Sequence, residues 1–248
     1  MFSVDDRDAL RERVLRLAEE DERVVAGAAV GSLALGGGDR WSDLDLTFAV
    51  VDEAPVATVL DDWTRALADD VEAVHLVDVE AGPTTYRVLL LPNALQFDLS
   101  MTPASLFRPA GPRFKLLFGE AGEGYEPAQP VAADLFGWGV IYALHSRSCI
   151  ERGRLWQAEH YVGAVRDHAL ALACLREGVA ARQARGYDDL SAETHERFAE
   201  THVGALEPGA LRAALAAASR QLLREGTDAG VPHADVVAAR LDELSRPG

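Results

Sequence analysis

Basic residues are scarce in this sequence, and lysine is almost missing. Of 248 residues, 24 are Lys or Arg against 40 Asp or Glu, a formal charge of −16. Lys115 is the one lysine. A chain so acidic is poorly suited to gripping duplex nucleic acid, where affinity comes from neutralising phosphates. Small anionic ligands stay open, because they need only a local cluster of donors. Cysteine is scarce too. Cys149 and Cys174 make neither a disulfide framework nor a zinc site, and they read as small buried hydrophobes in helices. No apolar run approaches the roughly 18–20 residues that cross a bilayer. The longest runs, such as 24–30 and 88–91, are strand-sized. The first residues, Met1-Phe2-Ser3-Val4-Asp5-Asp6, lack the basic and apolar segments of a secretion signal. The expectation is a soluble cytoplasmic protein with no membrane partner. The seven histidines offer no metal site: His160 and His168 stand eight apart on one predicted helix, and His75 reads as a structural strand residue. Gly36-Gly37-Gly38 lacks the Gly-Lys-Ser/Thr of a P-loop, and no Ser–His–Asp pattern occurs.

What remains is ordinary globular composition, 48% hydrophobic and 26% charged. Acids are concentrated early. Residues 1–100 hold 21 acids and 8 bases, whereas 101–248 hold 19 and 16. The early part mixes strand and helix patterns: a helix over 5–20, strands over 24–30 and 44–51, a helical turn over 33–35, a helix over 55–68 and a strand over 71–79. A hairpin of 86–91 and 95–101 turns at Pro92-Asn93. After a stretch of Pro and Gly between 108 and 130, helical periodicity takes over at 132–152, 155–177, 192–203, 209–224 and 234–244. The expected fold class is α+β: a small mixed sheet flanked by helices over 1–128, then an α-helical bundle over 129–248.

The chemistry concentrates around Gly31-Ser32 and Asp43-Leu44-Asp45. Side chains two apart on a strand share a face, so Asp43 and Asp45 stand together while Leu44, Leu46, Phe48 and Val50 face a core. Paired carboxylates repel unless a cation lies between them. Magnesium takes hard oxygen ligands and commonly sits on one or two carboxylates plus substrate phosphates. Gly31-Ser32, at a strand end and opening a short helix, offers backbone N–H groups and a hydroxyl to a phosphate. Gln96-Phe97-Asp98-Leu99-Ser100 alternates polar and apolar, which puts Asp98 on a strand. If that strand neighbours 44–51, three carboxylates share one face. Such a set can hold two metal ions for an in-line phosphoryl displacement.

Gly-Ser, then Asp-x-Asp on a strand, then a later strand-borne Asp resembles the polymerase-β-like nucleotidyltransferase superfamily. With a helical C-terminal part, the chain looks like its small-molecule branch, which includes aminoglycoside and lincosamide nucleotidyltransferases. The motif resemblance covers residues 24 to 100; the helical remainder resembles the branch in architecture only. It implies transfer of a nucleoside monophosphate, AMP from ATP by default, to a hydroxyl of a small acceptor, with pyrophosphate release and two Mg2+ ions. Antibiotic resistance follows from the branch alone. Gly31 and Ser32 match the phosphate-binding pair, Asp43 and Asp45 the metal pair, and Asp98 the third carboxylate. The sequence departs from the pattern at Leu35, where the branch often has a polar residue, and in its three consecutive glycines.

In the resembling enzymes the helical domain, or a partner subunit, helps form the acceptor site. On the 155–177 helix, Trp156, Glu159, Gly163, Arg166 and Asp167 fall near one face. Glu159 is the candidate general base and Arg166 the candidate phosphate clamp, with Arg147 as another triphosphate contact and Asp98 as a second candidate base. The alternative is a surface Glu–Arg pair with Trp156 in the core. Gly163 in mid-helix suggests close approach by a ligand or another helix. Two other functions use the same metal site: an antitoxin-type or regulatory enzyme acting on a protein partner, and an RNA nucleotidyltransferase. The single lysine and the near-neutral helical part argue against RNA. Monomer and homodimer are both open.

Overall fold

The computed structural model describes residues 1–36 and 38–244, so Gly37 of the predicted glycine loop lies outside the described residues. The chain is α+β and divides into two compact units, 1–127 and 128–248.

In the first unit a six-stranded mixed sheet has the order β3-β4-β5-β2-β1-β6. Its strands are β1 (Val24–Val30), β2 (Leu44–Val50), β3 (Val74–Ala81), β4 (Thr84–Leu90), β5 (Gln96–Pro103) and β6 (Phe114–Phe118). Within this sheet β2 and β5 run parallel and the other neighbours are antiparallel. Helix α1 (Val4–Glu20) starts from a capping box in which Ser3 and Asp6 satisfy each other's backbone N–H. Helix α2 (Val56–Val71) follows Pro55 and ends at Glu72 in the left-handed region, φ 54°. Leu10 and Val14 of α1 and Val59, Leu60, Trp63 and Leu67 of α2 bury against Leu44, Leu46, Phe48 and Val50 of β2. The Trp63 ring meets Phe48 edge-on at 5.0 Å, and its Nε1 donates to Asp21 at 2.9 Å. A smaller buried cluster joins Ala26 and Ala28 of β1 and Ala49 of β2 to Phe107. Central β2 is therefore buried on both faces.

Several expectations shift. The strand expected over 71–79 begins at Val74 because α2 continues to Val71. The helical turn expected over 33–35 is a 3-10 turn at Gly31–Leu33. Strand β6 lies inside the Pro- and Gly-punctuated stretch that shows no strand pattern. It has five residues and exists by pairing with β1, Ala28 opposite Leu116. His75 lies on exposed edge strand β3, where its Nε2 pairs with Asp78 at 2.9 Å.

The second unit contains α3 (Ala132–Glu151), α4 (Leu155–Glu177), α5 (Ala192–Phe198), α6 (Pro208–Asp228) and α7 (Ala234–Leu244). Ala158, Val162, Val165, Ala169 and Leu172 recur at helical spacing on α4 and are all buried, together with Ala143 of α3 and Leu211, Ala218 and Leu222 of α6. Small side chains let these helices pack closely. At Gly139 on α3 an added Cβ would fall 2.6 Å from the Leu222 side chain. Of the two approaches expected at Gly163, by a ligand or by another helix, the helix approach is found at Gly139 instead: among the described residues a Cβ at Gly163 would meet Arg166 of its own helix, at 3.5 Å. Both cysteines are free and buried, and burial pushes the Cys174 thiol up to about 11. Among the described residues no helix is long and apolar enough to cross a membrane.

Candidate active site

Strands β2 and β5 decide the site. They pair in parallel with Leu44 opposite Phe97 and Asp45 opposite Asp98. Leu44, Leu46, Phe97 and Leu99 are sealed in the core, so the alternation turns Asp45 and Asp98 to the other face. Asp43 stands one residue before β2 begins. Carboxylate oxygens of Asp43, Asp45 and Asp98 all lie within 4.8 Å of one another, and each residue is half-buried.

Two groups adjoin this cluster. Gly31 follows β1 with φ +68°, and an added Cβ would fall 2.3 Å from Asp45 Oδ2. Both the backbone conformation and the space demand glycine here. Ser32 follows in the 3-10 turn. Its Oγ is sealed from solvent and has no hydrogen-bond partner among the described residues. An orphaned buried hydroxyl is costly unless a ligand satisfies it. On the other flank, Gln96 Nε2 donates to Asp98 Oδ1 at 2.9 Å. Burial raises the Asp98 carboxyl from its usual value. The Gln96 hydrogen bond opposes that shift, and the nearby Asp43 charge adds to it.

The loop entering Asp43 is ordered by its own side chains. Asp39 Oδ1 accepts from the Trp41 amide at 2.8 Å and from Ser42 Oγ at 3.2 Å, while Ser42 Oγ accepts from the Asp39 amide at 3.0 Å. The Trp41 amide bond holds the Asp39 carboxyl below its usual value. The exposed Trp41 ring carries the Arg40 guanidinium over its face at 4.2 Å.

An all-oxygen set of three carboxylates suits a hard divalent cation. The unsatisfied Ser32 hydroxyl, in the turn that follows Gly31, suits a phosphate oxygen. The residues present therefore fit a magnesium–phosphate group.

Glu159 and Arg166 lie on α4, in the second unit. Both are half-buried, and Arg166 Nε stands 3.6 Å from Asp167 Oδ1. Arg147 pairs with Glu151 at 3.0 Å. The alternative that places Trp156 in the core is corrected: Trp156 is 79% exposed, because the core side of α4 is taken by Ala158, Val162 and Val165. Gln96 and the Asp39–Ser42 turn were not singled out from sequence. Gln96 could have been found from its place two residues before Asp98, since both fall on one strand face.

No protein-family model matches the chain, and no curated protein sequence matches it. Among solved structures the chain is similar to an aminoglycoside 6-adenyltransferase from Bacillus subtilis, with 12% identity and a TM-score of 0.41 over 96% of this chain and 97% of that one. What the site does rests on its own residues.

Proposed function

We propose that the first unit is a magnesium-dependent nucleotidyltransferase of the polymerase-β-like kind. It moves a nucleoside monophosphate, AMP from ATP, to a hydroxyl of a small molecule and releases pyrophosphate. The observation that carries this reading is the set of three carboxylates within 4.8 Å beside Gly31 and the orphaned Ser32 hydroxyl.

Asp43, Asp45 and Asp98 hold the metal. Bound there, magnesium supplies a Lewis acid that offsets charge on phosphoryl oxygens. Gly31, lacking a Cβ, leaves room for the Asp45 carboxylate to lie against the start of the turn. Ser32 Oγ and the N–H groups of its turn donate to phosphate oxygens. The acid excess of residues 1–100 suits a cationic acceptor of the aminoglycoside type through long-range attraction.

The test is a thermal shift of wild type and Asp43→Asn with each ribonucleoside triphosphate, with and without magnesium. Saturation near a hundred times the dissociation constant stabilises by about 2.7 kcal/mol. The expected shift appears with one triphosphate, needs magnesium and vanishes in Asp43→Asn. Equal shifts in both proteins, or none with any nucleotide, would sink the reading. Mass spectrometry of candidate acceptors incubated with that triphosphate then checks the transfer itself.

A further inference from the structure

Arg7, on α1, is a buried cation spent on no acid. It is 4% exposed, and among the described residues it makes no ion pair. The arginines that are comparably covered do otherwise: Arg87 pairs with Asp61 and Asp78, Arg147 with Glu151, and Arg197 with Glu193 and Glu225. Arg7 instead donates from one nitrogen, Nη1, to two backbone carbonyls, Asp39 O at 2.7 Å and Ser42 O at 2.9 Å. Its Nε is sealed without a partner among the described residues. Burying a guanidinium this way is expensive, and an apolar residue of similar volume would pack the spot at less cost. Packing alone therefore does not explain it.

The two carbonyls explain it better. They are the first and last of the Asp39–Ser42 turn, which is also closed by Ser42 N to Asp39 O at 3.3 Å. The Ser42 carbonyl belongs to the peptide group that carries the Asp43 N–H. Holding that oxygen fixes the peptide plane, and with it the direction in which Asp43 leaves the loop. Helix α1 is a firm anchor for this, with a capped start and with Leu10 and Val14 in the core.

We infer that Arg7 is a positioning residue of the carboxylate site, tying the Asp39–Ser42 turn to α1 so that Asp43 meets Asp45 and Asp98. This rests on the reading of that cluster as a divalent-cation site.

The experiment uses the full chain as wild type, Arg7→Met, Arg7→Lys and Asp43→Asn. Manganese binding is read by electron paramagnetic resonance, and amide hydrogen exchange is read across residues 38–43, with a thermal melt on each protein. Arg7→Met should weaken manganese binding by about 10- to 100-fold, the range seen when residues behind metal ligands are removed. It should also speed exchange within 38–43 while α1, α2 and β2 keep their protection. Arg7→Lys keeps the charge but loses the fixed fork, and should fall between wild type and Arg7→Met in both readouts. If Arg7→Met does not fold, Arg7→Lys decides alone by the same two readouts. Wild-type manganese affinity in a folded Arg7 variant overturns the inference, as does loss of protection spread evenly over the first unit. Manganese binding absent from wild type overturns the functional reading along with this one. Binding by wild type that is lost in Asp43→Asn and kept in Arg7→Met overturns this one alone.

Discussion

In the second unit Glu225 is sealed from solvent and accepts from Arg176 at 2.7 Å and from Arg197 at 3.5 Å. Beside it Glu177 accepts from Thr194 Oγ1 at 2.6 Å and from the Ser191 amide at 2.8 Å. In the first unit, Asp43, Asp45 and Asp98 face one another within 4.8 Å. The same unit pairs its acids elsewhere: Asp21 accepts from Arg23 and Trp63, which holds its carboxyl down to about 2, and Arg87 joins Asp61 to Asp78. The crowding of acids is thus local. The scaffold acids sit against guanidinium, hydroxyl and amide donors, whereas the three carboxylates crowd one another, with Gln96 donating to Asp98. That difference sets the carboxylates of the candidate site apart from those of the scaffold.

The largest way to break the comparison is Glu225→Ala. It strands Arg176 and Arg197 beside the bundle core and should cost about 3 kcal/mol, the low end for breaking a buried pair, since both guanidiniums keep some water contact. Denaturant unfolding measures it, and an unchanged midpoint would mean the network contributes nothing. Asp98→Asn should do the opposite in metal-free buffer. Removing one of three like charges leaves the melting temperature unchanged or a few degrees higher, and a loss comparable to Glu225→Ala would make the cluster structural. The smallest effect is in pH. The Thr194 hydroxyl and the Ser191 amide hold the Glu177 carboxyl down from 4.5 to about 2. A carboxyl lowered in the folded state stabilises fully above pH 4.5, and that stabilisation is lost as pH falls toward 2. Glu177→Gln should flatten the stability profile in that window by its own share and leave the share from Asp21.

Much of this was legible in order along the chain. The alternation Leu44-Asp45-Leu46 and Phe97-Asp98-Leu99 assigns one face to the core and the other to carboxylates, because successive strand side chains must point to opposite faces. The 155–177 helix could be read to the residue from its spacing, although which side of it Trp156 took could not. A helix pattern gives a period, and the phase of a stripe that mixes Trp, Glu and Gly depends on what packs against it.

Local stereochemistry therefore accounts for the strands, the helices and the candidate carboxylates, since φ/ψ preferences and side-chain periods act over a few residues. Tertiary structure alone decided the rest. That β5 lies parallel beside β2, with Asp98 opposite Asp45, depends on burying two hydrophobic faces across half a hundred residues of intervening chain. Strand β6 needs β1, and Arg7 needs a turn more than thirty residues away. Contacts of that range are chosen by the closure of loops and the exclusion of water from the whole sheet, and no local pattern of residues carries them.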